Sequence, residues 1–264
     1  MKHRHSAQGK GHRAGKRSRA FFLSPIHYAP CPMPNQETSS VKKLLITIDG
    51  PAGAGKTTVS RQLAGRLGYR YIDTGALYRG VAYVARRRGI APQDDPALGR
   101  LLTGLELKFE PDEGGQRLLA DGEDITDLIR TPEISMLASA VSARPVVRAY
   151  LLEVQRELGR QKAAVFEGRD MGTVVFPEAE VKFFLSASER ARALRRFAEI
   201  QPKTAASLEE VERDMRHRDM QDSTRSTAPL KAAEDAIRID STDLSIEQVV
   251  AQMLSCVKAV LDRG

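Results

Sequence analysis

Eight consecutive residues, Gly50-Pro51-Ala52-Gly53-Ala54-Gly55-Lys56-Thr57, match the pattern G-x-x-x-x-G-K-[ST] at every position. Glycines at these places let the backbone turn tightly enough for successive N–H groups to point at one anion. A helix opening near Lys56 would aim its positive end at the same anion. Lys56 can then reach the β- and γ-phosphates of ATP, and the Thr57 hydroxyl can ligate Mg²⁺. Three further stretches set arginines beside small polar or acidic residues. They are Asp73-Thr74-Gly75-Ala76-Leu77-Tyr78-Arg79, Glu167-Gly168-Arg169-Asp170, and Arg218-Asp219-Met220-Gln221-Asp222-Ser223-Thr224-Arg225. A lone Arg–Asp pair is usually a surface ion pair of little worth. Three together suit a phosphoryl acceptor that is itself a phosphate. Such an acceptor needs no strong general base, only positive charge to bring two polyanions together.

The elements that must position these residues alternate along the chain. Leu44-Leu45-Ile46-Thr47-Ile48 reads as a buried parallel strand ending at Asp49-Gly50, followed by a helix from about Lys56 to Leu67 that Gly68 stops. Tyr69 to Ile72 reads as a second strand and Ala76 to Arg88 as a second helix. Between residues 104 and 130 the texture changes to an antiparallel hairpin, Leu105 to Phe109 and Arg117 to Leu119, around Asp112-Glu113-Gly114-Gly115. Thr131-Pro132 offers a cap and a first-turn proline. Ala163 to Phe166 and Val181 to Leu185 are further strands. Ser186, Ser207 and Ser245 each have Glu or Gln three residues later, the capping-box spacing. The last helix carries Ile246, Val249, Val250, Met253, Leu254, Val257 and Val260 on one face. The expected fold is a three-layer α/β domain with a parallel sheet and helices on both faces.

A chain of 264 residues, 41% hydrophobic and 28% charged, can bury one substantial core with inserted lobes. No apolar run reaches the roughly 18 residues of a membrane span. Cys31 and Cys256 fit neither a zinc site nor a disulfide framework, and a reducing cytoplasm suits them. The net charge of +7 is unevenly placed, because residues 1–43 carry nine Lys or Arg against Glu37 alone. Removing those from the 41 basic and 34 acidic residues leaves 32 and 33, so the remainder is nearly neutral. Residues 1–40 read as a disordered basic extension without helical or strand period. An Arg-rich, acid-poor start also has the look of a transit peptide or an RNA-touching arm, and Met33 is an alternative start.

At its motifs the chain resembles the bacterial cytidylate kinases. The resemblance rests on Gly50 to Thr58, Asp73 to Arg79, Ile129-Arg130-Thr131, Gly168-Arg169-Asp170-Met171-Gly172-Thr173-Val174-Val175-Phe176-Pro177, and Arg225 through Ala228-Pro229-Leu230. It runs in order from about residue 44 to 260. The phosphate loop is common to many enzymes, whereas Gly168 to Pro177 combined with Asp222-Ser223-Thr224-Arg225 is far more specific. Thr74 stands where serine is also familiar, and Glu167 where the family often has Asp.

The resemblance implies a phosphate-loop kinase core, an inserted nucleoside-monophosphate lobe at about 92–145 and a helical lid at about 190–225. It implies ATP as phosphoryl donor, Mg²⁺ as cofactor, and CMP or dCMP as acceptor. By resemblance Ser139, Arg148 and Asp170 surround the base. Arg218 and Asp222 lie near the sugar, and Arg79, Arg169 and Arg225 on the acceptor phosphate, with Asp73, Thr74, Tyr78 and Arg130 in that pocket. Thr58 belongs to the loop, and Arg195 and Arg196 look like lid residues closing over ATP. Lys56 and Arg169, Arg218, Arg225, Arg195 and Arg196 are the catalytic candidates. The implied enzyme is a cytoplasmic monomer that needs no membrane and no nucleic acid. Two other readings share parts of the sequence: a kinase of UMP, AMP or shikimate on the same fold, and a nucleotide-binding module that uses the basic arm on RNA.

Overall fold

The computed structural model describes residues 43–112, 115–201 and 206–263. Residues 1–42, which include the basic extension, Glu113 and Gly114 of the expected turn sequence, residues 202–205 and Gly264 lie outside these segments. In chain order the elements begin with β1 (Leu45–Asp49), α1 (Lys56–Leu67), β2 (Arg70–Asp73), α2 (Thr74–Arg87) and α3 (Asp95–Thr103). Next come β3 (Leu107–Asp112), β4 (Gly115–Ala120), β5 (Glu123–Asp124), α4 (Pro132–Ser142) and α5 (Pro145–Gly159). The chain continues through β6 (Ala164–Gly168), a π-helical turn (Met171–Val175), β7 (Val181–Ser186) and α6 (Glu189–Ile200). It closes with α7 (Leu208–Thr224), β8 (Ile237–Asp240) and α8 (Ile246–Leu261).

Five strands form a parallel sheet in the order β2-β6-β1-β7-β8, and β3-β4-β5 form a small antiparallel sheet. The expected α/β class, parallel sheet and hairpin are therefore all present. Central β1 pairs with β6 and β7 on its two sides, and every one of its residues is buried. That is why it reads as a continuous apolar run rather than an alternation. One face of the sheet packs on α1 and α8 through Leu63, Val165, Phe183, Val250 and Met253. Against the other face lie Phe166, Met171, Val175 and Phe176, with the Phe166 and Phe176 rings 4.6 Å apart. A larger apolar cluster joins α2, α3, α4 and α5 to β3 and β4.

Local chemistry sets the helix ends. Asp73 caps α2 by accepting from Ala76 N at 3.1 Å, so this helix begins at Thr74, two residues earlier than expected. Ser207 and Ser245 form the expected capping boxes with Glu210 and Gln248. Ser186 does not cap α6. It ends β7, paired with Asp240, and its carbonyl accepts from Ser241 N at 2.8 Å. The strand ladder thus consumes the residue, and Ser188 supplies the cap two positions later.

Candidate active site

The phosphate loop leaves the carboxyl end of β1 and runs into α1. Gly50, at φ +151°, passes so close to β7 that an added Cβ would lie 2.0 Å from Leu185 O. Gly55 precedes α1 at φ +87° without a side-chain cap, so the first amides of the helix keep their donors for an anion. Lys56 is buried and donates to Pro51 O at 2.7 Å. Burial, and next to it the charge of Arg169, pushes its pKa well below that of an ordinary lysine. Thr57 Oγ1, in the first turn of α1, donates to Glu167 Oε1 of β6 at 2.8 Å. Burial, and after it Asp73, pushes the Glu167 carboxyl up, against the hydrogen bonds it takes from Thr57 and Tyr71.

Behind this loop, Asp49 aims the segment after β6. Its two oxygens accept from Met171 N (2.9 Å) and Gly172 N (2.8 Å), which fixes the π-helical turn to the end of β1. Full burial raises the Asp49 pKa to about 6 despite those amides. The turn presents Arg169 and Asp170 at the same carboxyl edge of the sheet as the loop. Asp170, 2% exposed, is gripped by the buried Arg148 of α5, with Arg225 Nη2 3.5 Å from its other oxygen. Arg148 also lies over the Tyr78 ring, 5.8 Å from its centroid, and burial pushes the Tyr78 pKa up to about 12. Asp222 of α7 accepts from Arg169 Nε at 3.0 Å and lies 3.9 Å from Arg225 Nη1.

Arg79 pairs with Asp73 at 2.8 Å, and Thr74 Oγ1 ties α2 to the Glu167 carbonyl at 2.7 Å. Burial, followed by the charge of Arg169, lowers the Arg218 pKa to about 10, with Arg79 and Arg196 adding to the effect. Five arginines (79, 148, 169, 218 and 225) therefore converge on three aspartates. Burial comes first in lowering the Arg218 pKa and the neighbouring guanidinium groups second, and an anion placed among these arginines would favour the charged form again.

The cytidylate kinase family model matches residues 46–259. The chain belongs to the cytidylate kinase family. A cytidylate kinase of Geobacter sulfurreducens is 53% identical over 216 residues, covering 81% of this chain and 93% of that protein. One from Citrifermentans bemidjiense is 51% identical, covering 84% of this chain and 95% of that protein. A third, from Carboxydothermus hydrogenoformans, is 48% identical over 80% of this chain and 96% of that protein.

Not every residue expected in a cytidylate kinase site joins the cluster. Ser139 Oγ donates to Gln221 Oε1 at 3.2 Å, joining α4 to α7, instead of touching Asp170. Arg130 is exposed just before α4, and Thr58 is exposed in the first turn of α1. Arg195 donates to Ser241 Oγ at 3.0 Å and Ser241 O at 2.5 Å, while Arg196 pairs with Glu199 at 2.9 Å on its own helix. His217, read as a surface residue, is exposed with its Nε2 2.8 Å from Gln221 Nε2.

Three polar residues beside the loop were given no role of their own by the sequence reading: Asp49, named only as a strand end, Asp219, quoted only within a motif, and Arg192, not named at all. Arg192 is buried and donates from Nη1 to Ala52 O at 3.0 Å. It lies one helical turn before Arg195 and Arg196, and that spacing was the available signal. Asp49, the last residue of a buried strand before the loop, was equally visible as an ionisable group in an apolar run.

Proposed function

We propose that this chain transfers the γ-phosphoryl group of ATP to CMP and dCMP, giving CDP and dCDP, as a cytoplasmic monomer. The observation that carries the acceptor assignment is buried Asp170, held between Arg148 and Arg225. Cytosine presents an amino donor at N4 and acceptors at N3 and O2, and uracil reverses the first two. Asp170 accepts from the amino group and Arg148 donates to the acceptors. Uracil would leave buried polar groups unpaired, at about 1–3 kcal/mol each.

Residues 92–145 serve as the monophosphate lobe and 190–225 as the lid. Arg79, Arg169 and Arg225 take the acceptor phosphate, Arg218 and Asp222 the sugar, with Asp73, Thr74, Tyr78, Arg130 and Ser139 lining that pocket. Loop residues 50–58 hold the ATP phosphates. The Lys56 pKa is lowered in the free protein, and an arriving triphosphate raises it again, because an anion beside it favours the charged form. The acceptor phosphate is already ionised, so no general base is required. Catalysis is positioning plus charge stabilisation by Lys56 and the arginines, with Arg195 and Arg196 closing over the donor. Closure excludes water, which would otherwise hydrolyse ATP.

The donor set suits Mg²⁺. The Thr57 hydroxyl and the Glu167 carboxylate, 2.8 Å apart, are hard oxygen ligands, and this ion is held by one or two protein oxygens plus substrate phosphates. When bound it neutralises charge developing on the phosphates. Glu167, protonated more readily than usual in the free protein, would ionise beside it.

The test is ADP release with ATP and Mg²⁺ across CMP, dCMP, UMP, AMP and shikimate. Turnover confined to CMP and dCMP is expected. Faster turnover with another acceptor, or none above the ATP-only blank, would overturn the acceptor assignment.

A further inference from the structure

Asp219 of α7 reaches the phosphate loop beside Arg192 of α6. Proline has no N–H, so after Pro51 the first donor of the loop is Ala52 N, and Asp219 Oδ1 accepts from it at 3.2 Å. The other carboxylate oxygen pairs with Arg192 Nη1, which also donates to Ala52 O at 3.0 Å. Arg192 Nε is fixed on Ala187 O at 3.0 Å. Gly53 lies beneath, where an added Cβ would come within 2.7 Å of Met215 Cε and 2.9 Å of Arg192 O. One carboxylate thus holds a loop amide and a buried guanidinium, the two donor types that a phosphoryl oxygen takes.

Holding α6 to α7 does not require this contact. Arg190 pairs with Glu212 between the same helices, and Ala193, Val211 and Met215 form a shared apolar cluster. We propose that Asp219 is a placeholder for a phosphate oxygen of the donor nucleotide. In the nucleotide-free protein it occupies Ala52 N–H and Arg192, keeping α6 and α7 seated on the loop. An arriving triphosphate takes both donors, and Asp219 lowers ATP affinity because two anions cannot share them. This rests on the reading of the loop as the ATP site.

Calorimetric titration of ATP and adenosine into wild type, Asp219→Asn and Asp219→Glu tests it, with thermal unfolding of each free protein as the folding control. Asp219→Asn keeps the shape and removes the charge, so ATP should bind about three- to ten-fold more tightly. Adenosine, which lacks phosphates, should bind as to wild type, and Asp219→Glu should show no gain for ATP. Unchanged or weaker ATP binding in a folded Asp219→Asn protein would overturn the placeholder role. A loss shared by ATP and adenosine would do the same and mark the residue as scaffolding. Failure of wild type to bind ATP would instead bring down the loop assignment and the proposal with it.

Discussion

In the central sheet, Ile46, Ile48, Val165, Phe166, Phe183 and Leu185 are all at most 1% exposed, and apolar clusters cover both faces. In the α6–α7 pair the buried apolar cluster is Ala193, Val211 and Met215, with Ala52 of the loop against its edge. What fixes α7 to the rest is mainly polar: Asp219 with Ala52 and Arg192, Asp222 with Arg169, and Gln221 with Ser139. Apolar packing has no equivalent that a substrate could offer. An ion pair does, since a phosphate oxygen can replace a carboxylate oxygen on the same guanidinium. On the proposed reading, Lys56, Thr57, Glu167 and Asp170 belong to the part that stays, and Arg192, Arg218, Asp222 and Arg225 to the part that trades partners when nucleotide binds.

The sharpest way to break this contrast is to cut both cores. Phe183→Ala should cost about 3–5 kcal/mol of unfolding free energy in urea melts, as large aromatic truncations do. Met215→Ala, in the thinner cluster, should cost about 2 kcal/mol, the low end for such truncations, and raise hydrogen exchange chiefly within α6 and α7. Equal costs would mean that the two regions are held alike. Next in size is Lys56→Met, expected to lower kcat by about 10²–10³-fold while leaving the thermal midpoint within a few degrees.

A smaller effect comes from Asp49→Asn, which leaves one of the Met171 and Gly172 amides without its acceptor, at about 1–3 kcal/mol. The pH dependence sharpens that test. Burial holds Asp49 near pH 6 against 3.8 for the unperturbed group, so between these values the folded chain keeps a proton that the unfolded chain has lost. Its contribution is complete below pH 3.8 and lost as pH rises through about 6. The stability difference between wild type and Asp49→Asn, from urea midpoints at successive pH values, should change across that window and be flat above it. Smallest of all, Ser139→Ala removes one exposed hydrogen bond to Gln221 and should raise the KM for CMP by a few-fold at most.

The same contrast explains what could be read in advance. The phosphate loop is contiguous, so eight residues announce strand, turn, helix and ligand together. Strands β1, β6 and β7 are buried runs with one period, and they were legible for that reason. Edge strand β8 is mostly exposed and four residues long, and α5 starts without a side-chain cap, so neither was expected. Helix α3 was also not expected, although Asp94 caps it through Ala97 N and Pro96 stands in its first turn; that start signal was there to be read. The arginine cluster was visible as motifs, but its pairing was not. Asp219 and Arg192 lie 27 residues apart, and only the packing of α6 on α7 brings them to Ala52. Ser139 shows the converse: resemblance set it beside the base, and in the free protein its hydroxyl is engaged by α7.

The claim that Asp170, held by Arg148 and Arg225, reads the acceptor base is tested most directly by ADP release from Asp170→Asn with CMP and with UMP. Removing the charge should lower kcat/KM for CMP by roughly 10- to 100-fold and that for UMP far less, so the preference between them collapses. Equal losses for the two acceptors in a protein that still melts cooperatively would contradict it.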